Sequence, residues 1–368
     1  MLLDLAHSKP ARTVGKPAAA IAEARRQIEI CNACRYCEGF CSVFPAMTRD
    51  KMFSDGNITH LANLCHNCRG CFYSCQYTEP HEFALNVPAA LAEVRQDRWE
   101  RLVWPAGFAK AFQSNGVAIA AALVAGIAAL FTLIFALPEG DGAGFYAHLG
   151  HSVMLAIFIP AFGLPLLALV IGLQRYWRET GAGRLTARDI GRALDKAATL
   201  RNLSGGQSQG CNFEGEDRYS DYRRWFHQLV LYGFLACFAA TSVASLMHYL
   251  LDWRAPYGLF TPPKLLGIPG GIALVIGTAG LAWLKTQADP KLGAVRVWGG
   301  EMAFILLLCL LGLSGLVLYA ASGTAAVPPL LAIHLGGVLA FFLLMPYTKM
   351  VHGFFRVTAL LAEETKRR

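Results

Sequence analysis

Hydrophobic residues are concentrated in six long stretches in the C-terminal two thirds of the chain. Each stretch is long enough to cross about 30 Å of hydrocarbon as an α-helix that rises roughly 1.5 Å per residue. The stretches cover residues 116–137, 149–173, 226–250, 265–284, 302–321 and 330–355. This pattern predicts a bundle of six membrane-spanning helices.

The segment before the first stretch has a different pattern. Residues 18–30 and 88–99 have the spacing of short helices, and residues 44–64 leave room for one or two more. Cysteines lie in the loops between these predicted helices. We therefore expect a small α-helical domain over residues 1–112 and a membrane domain over residues 113–368, with residues 174–225 as a linker between the second and third spans.

Composition and charge agree with membrane insertion, because 55% of the 368 residues are hydrophobic and only 16% are charged. Residues 174–225 carry ten Lys and Arg, residues 285–296 carry three, and the chain ends in Lys366-Arg367-Arg368. Residues 138–148 and 322–329 carry none. Since Lys and Arg mark the cytoplasmic side, we expect the linker, both termini and the cysteine segment to be cytoplasmic in a bacterial inner membrane.

Two further features bear on this topology. Residues 1–30 lack the apolar segment of a secretory signal, which favours a cytoplasmic cysteine segment whose thiols stay reduced. The formal net charge is +8, but the basic residues lie in loops beside apolar spans and form no recognisable nucleic-acid module. We therefore expect no nucleic-acid partner.

Eight of the eleven cysteines form two copies of the pattern C-x2-C-x2-C-x3-C. Bacterial ferredoxins use this run to hold two [4Fe–4S] clusters, and the fourth cysteine of each run binds the other cluster. The spacing therefore predicts one cluster on Cys31, Cys34, Cys37 and Cys75. It predicts the second cluster on Cys65, Cys68, Cys71 and Cys41.

Two structural zinc sites are the alternative for these cysteines. Zinc modules usually show two C-x2-C pairs separated by a long spacer, which a triple run repeated twice fits poorly. The chain also departs from the ferredoxin run, because Ser42 and Gln76 stand where proline normally follows the fourth cysteine. Of the three remaining cysteines, Cys237 and Cys309 lie in apolar stretches and are expected to be small core residues.

Six of the ten histidines lie in or at the ends of the predicted spans. An ionisable side chain at membrane depth is costly and therefore suggests a function, although a hydrogen bond between helices would explain any single one. Under the predicted topology, the third and sixth spans each carry one histidine near each face of the membrane. Such pairs suit b-type haem, whose iron takes axial imidazoles from two helices.

We therefore predict an inner haem on His227 and His352 and an outer haem that draws on His248 and His334. His151 competes for the outer site, and His148 is the weaker candidate there. The pattern leaves open whether the chain binds one haem or two.

The remaining candidates are assigned to the cytoplasmic side. His60, His66 and His81 are expected to be hydrogen-bond donors or surface residues, because eight cysteines already satisfy two clusters. The glycines of the linker do not follow the strand-then-helix pattern of a phosphate site. We expect the linker, which contains Cys211, to pack on the cysteine segment instead.

These features together closely resemble the tricarballylate utilization protein B family, also called citrate utilization protein B. The matching stretches are Cys31-Asn-Ala-Cys-Arg-Tyr-Cys37, Cys65-His-Asn-Cys68, Cys75-Gln-Tyr77, Pro80-His-Glu-Phe83, Arg223-Arg-Trp-Phe-His227 and His334 to His352. The resemblance implies a protein that takes electrons from the reduced flavin of a partner dehydrogenase, which oxidises a tricarboxylate such as tricarballylate. It implies that clusters and haem b then pass the electrons to membrane quinone.

The predicted fold is thus mainly α, with an N-terminal ferredoxin-like domain for two [4Fe–4S] clusters followed by a six-helix transmembrane bundle. The leading function is electron transfer without substrate chemistry, because the sequence has no G-x-G-x-x-G unit for flavin or NAD. An FAD-dependent dehydrogenase would then supply the two-electron chemistry. The alternatives are quinol-driven reduction of a cytoplasmic acceptor and a membrane redox sensor.

Overall fold

The computed structural model describes residues 17–135, 150–205, 208–214, 217–253, 255 and 257–367, without the side chain of His151. His148 lies outside the described residues. Within them, the secondary structure is helical and contains no strand, apart from an isolated bridge between Cys211 and Ser220. The predicted mainly α class is confirmed.

The N-terminal helices are short and pack around an apolar core. They are α1 (Pro17–Cys34), α2 (Val43–Met47), α3 (Asp55–Leu64), α4 (Gly70–Tyr73) and α5 (Val87–Leu102). Two of them begin at side-chain caps: Ser54 accepts a hydrogen bond from the backbone N–H of Asn57, and Asn86 accepts one from Ala89. Helix α1 extends four residues beyond the predicted 18–30 and therefore carries Cys31 and Cys34.

Among the described residues, six helices are long and apolar enough to cross a membrane, which agrees with the predicted number. They are α6 (Ala106–Phe135), α7 (His151–Glu179), α9 (Tyr222–Leu251), α10 (Pro262–Gln287), α11 (Trp298–Ala320) and α12 (Val327–Leu344). The shorter helix α8 (Ala187–Ala198) lies in the linker between α7 and α9. In the most apolar 18-residue segment of α12, half of the residues are buried inside the protein, whereas in that of α9 the buried share is 11%. Helix α12 is thus central, whereas most of the surface of α9 is left for lipid.

Close backbone approaches at glycine hold these helices together. A Cβ on Gly116 would lie 2.8 Å from the Cα of Gly300. Helices α6 and α11 can therefore approach this closely only because residue 116 has no side chain. Helix α6 bends just before this contact, at Asn115, whose backbone is not helical (φ −136°, ψ 34°). The apolar stretch predicted from residue 116 therefore begins at the bend.

The prediction that residues 330–355 form a single membrane span is wrong. Helix α12 ends at Leu344, and a separate helix, α13 (Val351–Lys366), follows a turn. Pro346 lies in this turn; it has no N–H to donate to Phe342, and its ring obstructs a continuing helix. His352 therefore begins α13 instead of ending the sixth membrane helix.

Helix α13 joins the membrane bundle to the cysteine segment. Its apolar face shares one buried core with the N-terminal helices and α7, including Leu61, Tyr176 and Phe355. Beside this core, the carboxylate of Glu363 pairs with Arg49 at 2.6 Å and with His60 at 3.1 Å. The cysteine segment is thus fixed against one end of the bundle.

Candidate functional site

One cavity of about 190 Å³ is lined by all four cysteines predicted for the first cluster, Cys31, Cys34, Cys37 and Cys75, and also by Cys71 of the second run. Helix α1 ends in the first two, and the left-handed backbone of Arg35 (φ 56°) turns the chain back toward Cys37. Cys75 arrives from the loop after α4. We refer to the four cysteines predicted for the first cluster as the outer cysteine group, because Cys34 is exposed and the cavity opens to solvent.

The other four cysteines, Cys41, Cys65, Cys68 and Cys71, are mutual neighbours, and we call them the inner cysteine group. Cys65 ends α3, and Cys71 lies on α4. Cys68 stands between Asn67 and Arg69, whose left-handed backbones (φ 53° and 69°) form a tight coil. The structure therefore brings Cys41 to the second run and Cys75 to the first.

Burial and mutual proximity make these thiols poor acids in the absence of a cation. Burial, reinforced by Cys75, Cys37 and Cys34, raises the pKa of Cys31 to about 12. Burial, with Cys211 and Cys65 nearby, raises the pKa of Cys68 to about 12. Thiolates packed this closely need a positively charged centre between them.

The arrangement fits clusters better than single ions. Among the described residues, no three His, Cys, Asp or Glu side chains converge so as to hold one metal ion. A cubane takes one thiolate at each of four irons, so its ligands surround a volume rather than a point. The four cysteines of the outer group surround such a volume, and their soft sulfur atoms suit iron–sulfur chemistry. Ligation itself remains a prediction.

The linker covers the inner cysteine group. The backbone N–H of Asn212 donates to the carbonyl of Cys68 at 2.8 Å, and Arg69 donates to the carbonyl of Phe213 at 3.3 Å. Arg223 stacks over the ring of Phe213, 4.2 Å from its centroid. Cys211 is 1% exposed within this loop. The linker thus packs on the cysteine segment, and the cavity that remains beside Cys68, of about 20 Å³, is smaller than the one at the outer group.

Two arginines that the sequence analysis did not single out meet at the inner group. Arg95 of α5 and Arg356 of α13 both donate to the backbone carbonyl of Cys65, at 2.8 and 2.9 Å. Arg356 lies four residues after His352, so both share one face of α13. The four-residue spacing from His352 to a charged residue among apolar ones was the sequence signal that could have identified Arg356.

The histidines predicted for the inner haem are in contact. The ring centroids of His227 on α9 and His352 on α13 lie 5.8 Å apart, with an angle of 77° between the rings. The Nδ1 of His352 bonds to the carbonyl of Lys349, which leaves its Nε2 for a metal. The Nδ1 of His227 is buried and has no hydrogen-bond partner among the residues that the structure describes. With imidazole–metal bonds of about 2 Å, one iron between two rings needs centroids roughly 6 Å apart, and the distance between these two rings is close to that value.

An ion-pair cluster supports the turn that presents His352. Lys349 in this turn bonds to Glu301 at the start of α11, and Glu301 also pairs with Lys285 of α10. The ammonium group of Lys349 lies 5.3 Å from the ring centroid of Trp99. The carbonyl that orients His352 is therefore fixed by three helices.

The histidines predicted for the outer haem are not brought into contact in the described part of the chain. The Nδ1 of His334 on α12 lies 2.9 Å from the hydroxyl of Ser314 on α11. His248, near the end of α9, packs edge-on against Tyr249. His151 begins α7, but its side chain lies outside the described residues. The outer haem stays a prediction.

The three histidines of the cysteine segment have hydrogen-bond roles. His60 is buried between the hydroxyl of Tyr176 and the carboxylate of Glu363. The Nδ1 of His66 bonds to the carbonyl of Leu64 at 2.8 Å. The ring of His81 accepts a hydrogen bond from the backbone of Phe83.

Comparisons with known proteins cover nearly the whole chain. Residues 89–368 match the family model described as citrate utilization protein B, and residues 24–100 match its Fer4-like domain. Citrate utilization protein B of Escherichia coli is 44% identical over 346 residues, which are 92% of this chain and 91% of that protein. No solved structure matches the chain. The chain therefore belongs to the citrate utilization protein B family, with a Fer4-like domain joined to six helices of membrane-spanning length.

Proposed function

We propose that this chain carries electrons from the reduced flavin of a partner tricarballylate-type dehydrogenase to membrane quinone, by way of two [4Fe–4S] clusters and haem b. One observation carries the proposal: the candidate redox centres follow one another in space from the solvent to the membrane bundle. The outer cysteine group opens to solvent, the inner group lies behind it, and the His227–His352 pair lies at the end of the bundle.

The solvent-facing side of the outer group supports entry from a soluble donor. Cys34 is exposed, and Tyr36, 69% exposed, stands at the mouth of the same cavity. The inner group has only a smaller cavity, of about 20 Å³, where the linker residues Gly205 and Gly210 lie over Cys68. A flavoprotein can therefore approach the outer group most closely.

A short bonded route from the inner group to the histidine pair supports the next step. The carbonyl of Cys65 accepts a hydrogen bond from Arg356, and one turn of α13 separates Arg356 from His352. His352 contacts His227 on the third membrane helix. The chain thus connects a cluster ligand to a haem ligand without crossing solvent.

The cofactor types suit a position between flavin and quinone. When bound, clusters and haem supply one-electron carriers between two partners that each exchange two electrons. The matched family name refers to citrate utilization, which supports a tricarboxylate as the substrate of the partner. The distribution of Lys and Arg supports a bacterial inner membrane with both termini and the cysteine segment in the cytoplasm.

The test uses membranes that contain the full chain, the partner dehydrogenase, tricarballylate as reductant and a short-chain ubiquinone as acceptor. We expect tricarballylate to reduce the haem, and the added ubiquinone to reoxidise it. Cys68→Ala should abolish this reduction, while Cys309→Ala, which alters a cysteine of α11 outside both groups, should leave it unchanged.

The other outcomes separate the alternatives. Haem reduction by ubiquinol alone would favour transfer to a cytoplasmic acceptor, and absence of turnover in both directions would leave a redox sensor. Unaltered reduction kinetics in Cys68→Ala would contradict the inner cysteine group as part of the path.

A further inference from the structure

Four arginines surround the inner cysteine group: Arg69, Arg95, Arg223 and Arg356. Arg95 and Arg356 bond to the carbonyl of Cys65, and Arg223 donates to the carbonyl of Asn67 at 2.8 Å. Arg69, next to Cys68, is 4% exposed, and Arg95 is 6% exposed. Four guanidinium groups thus lie against one short loop that supplies three of the four cysteines.

Within the described residues, none of these four arginines forms a salt bridge with a carboxylate. Among the described residues, they contact backbone carbonyls, the side chain of Asn67, the thiol of Cys211 and the rings of Phe213 and Trp99. The Nε of Arg356 is buried and has no partner in this part of the chain. Elsewhere arginines are paired: Arg26 with Glu23, Arg49 with Glu363. Across the ranges that the structure describes, the positive charge around the inner group is therefore not neutralised by direct ion pairs, and Asp289 acts on Arg69 only from a longer distance.

The outer group has a different setting. No arginine is among the residues that line its cavity, which include Tyr36, Phe44 and Phe72. Arg35, the nearest in sequence, is exposed and donates to the carbonyl of Asn32. The two groups therefore differ in local charge although their cysteine spacing is the same.

We propose that the four arginines raise the reduction potential of the cluster held by the inner group above that of the outer one. This inference rests on the proposed function. The step moves one electron: the outer cluster is oxidised, the inner cluster is reduced, and no bond or proton changes place. A buried positive charge stabilises the reduced, more negative cluster, and weak screening away from water strengthens the effect. Transfer toward the membrane is then favourable.

Arg356 is a positioning residue in this scheme. The effect of its charge on the reduction potential of the inner cluster is measured by potentiometric titration of the full chain in detergent, with electron paramagnetic resonance as the readout. Arg356→Gln should reduce the fraction of reduced inner cluster about tenfold at a fixed solution potential, which is about 59 mV for one electron. Arg356→Lys keeps the charge and should remain close to the wild type. Arg101→Gln, which removes an exposed charge at the end of α5, is the matched control.

Arg223→Gln provides a second test if Arg356→Gln fails to fold, because Arg223 is only partly buried. It should shift the same signal in the same direction, and that signal should be the one altered by Cys68→Ala. Unchanged potentials with unchanged iron content in the folded arginine variants would overturn the inference alone. A wild-type chain without two reducible clusters would instead overturn the proposed function.

Discussion

The two ends of the membrane bundle carry the same residue type but differ in how it is held. At the end near the cysteines, His227 and His352 are in contact, and His352 is oriented by a turn tied to Glu301. At the far end, His334 bonds to Ser314 of a neighbouring helix, and His248 packs on the adjacent Tyr249. The proposed haem site thus lies where several helices and the cysteine segment meet, and histidine spacing alone does not bring the two rings together.

The largest effect is expected from removing the near pair. His352→Ala should eliminate the haem proposed at this end, because it removes one of the two imidazoles that would hold the iron. The haem content and Soret spectrum of purified protein measure this. His248→Ala serves as the matched far-end variant and should keep the near haem. Equal loss of the near haem in both variants would contradict the contrast between the two ends.

The sequence predicted the near pair but for a partly mistaken reason. Counting residues along one continuous span placed His352 at the end of the sixth membrane helix, whereas Pro346 ends that helix and α13 carries His352 back against the cysteine segment. Helical periodicity reports which residues are apolar, and it does not report a turn between two apolar helices. The placement of Cys41 with the second run and of Cys75 with the first could be predicted from the sequence, because it follows from the local spacing of the cysteines.

The contacts of Arg95 and Arg356 with Cys65 could not be predicted in the same way. These residues lie in α5 and α13, which are separated along the chain by all six long apolar helices. Only the packing of α13 on the N-terminal helices brings them together. The mainly α fold and the six spans followed from hydropathy, since each needs only a continuous apolar segment.

A smaller effect is expected from loosening α13 at its other end. The carboxylate of Glu363 is 2% exposed and bonds to Arg49 and His60. Glu363→Gln should lower the free energy of unfolding by about 3 kcal/mol, because it leaves buried donors without a charged partner. Thermal unfolding in detergent measures this, with the exposed Glu38→Gln as the control. Equal stability of the two variants would show that α13 is held by its apolar face alone.

The same carboxylate gives a pH dependence. Burial acts to raise the pKa of Glu363, but hydrogen bonds from His60, Arg49 and Arg367 hold it well below its usual range. Because the folded pKa is lower than the unfolded value of about 4.3, this contribution is complete above that pH and is lost as the pH falls through the folded pKa. Glu363→Gln should therefore show a weaker loss of stability on acidification than the wild type.

The smallest effect is expected at the far end, where Ser314 contacts the Nδ1 of His334. This bond leaves the Nε2 of His334 for a far haem, and removal of a hydrogen bond that orients a ligand weakens metal binding by about tenfold. Ser314→Ala should therefore weaken the far haem by this factor and leave the spectrum of the near haem unchanged. Haem titration of purified protein distinguishes the two. A spectrum and haem affinity identical to the wild type would contradict the role of Ser314 in orienting His334 and would assign their hydrogen bond to helix packing.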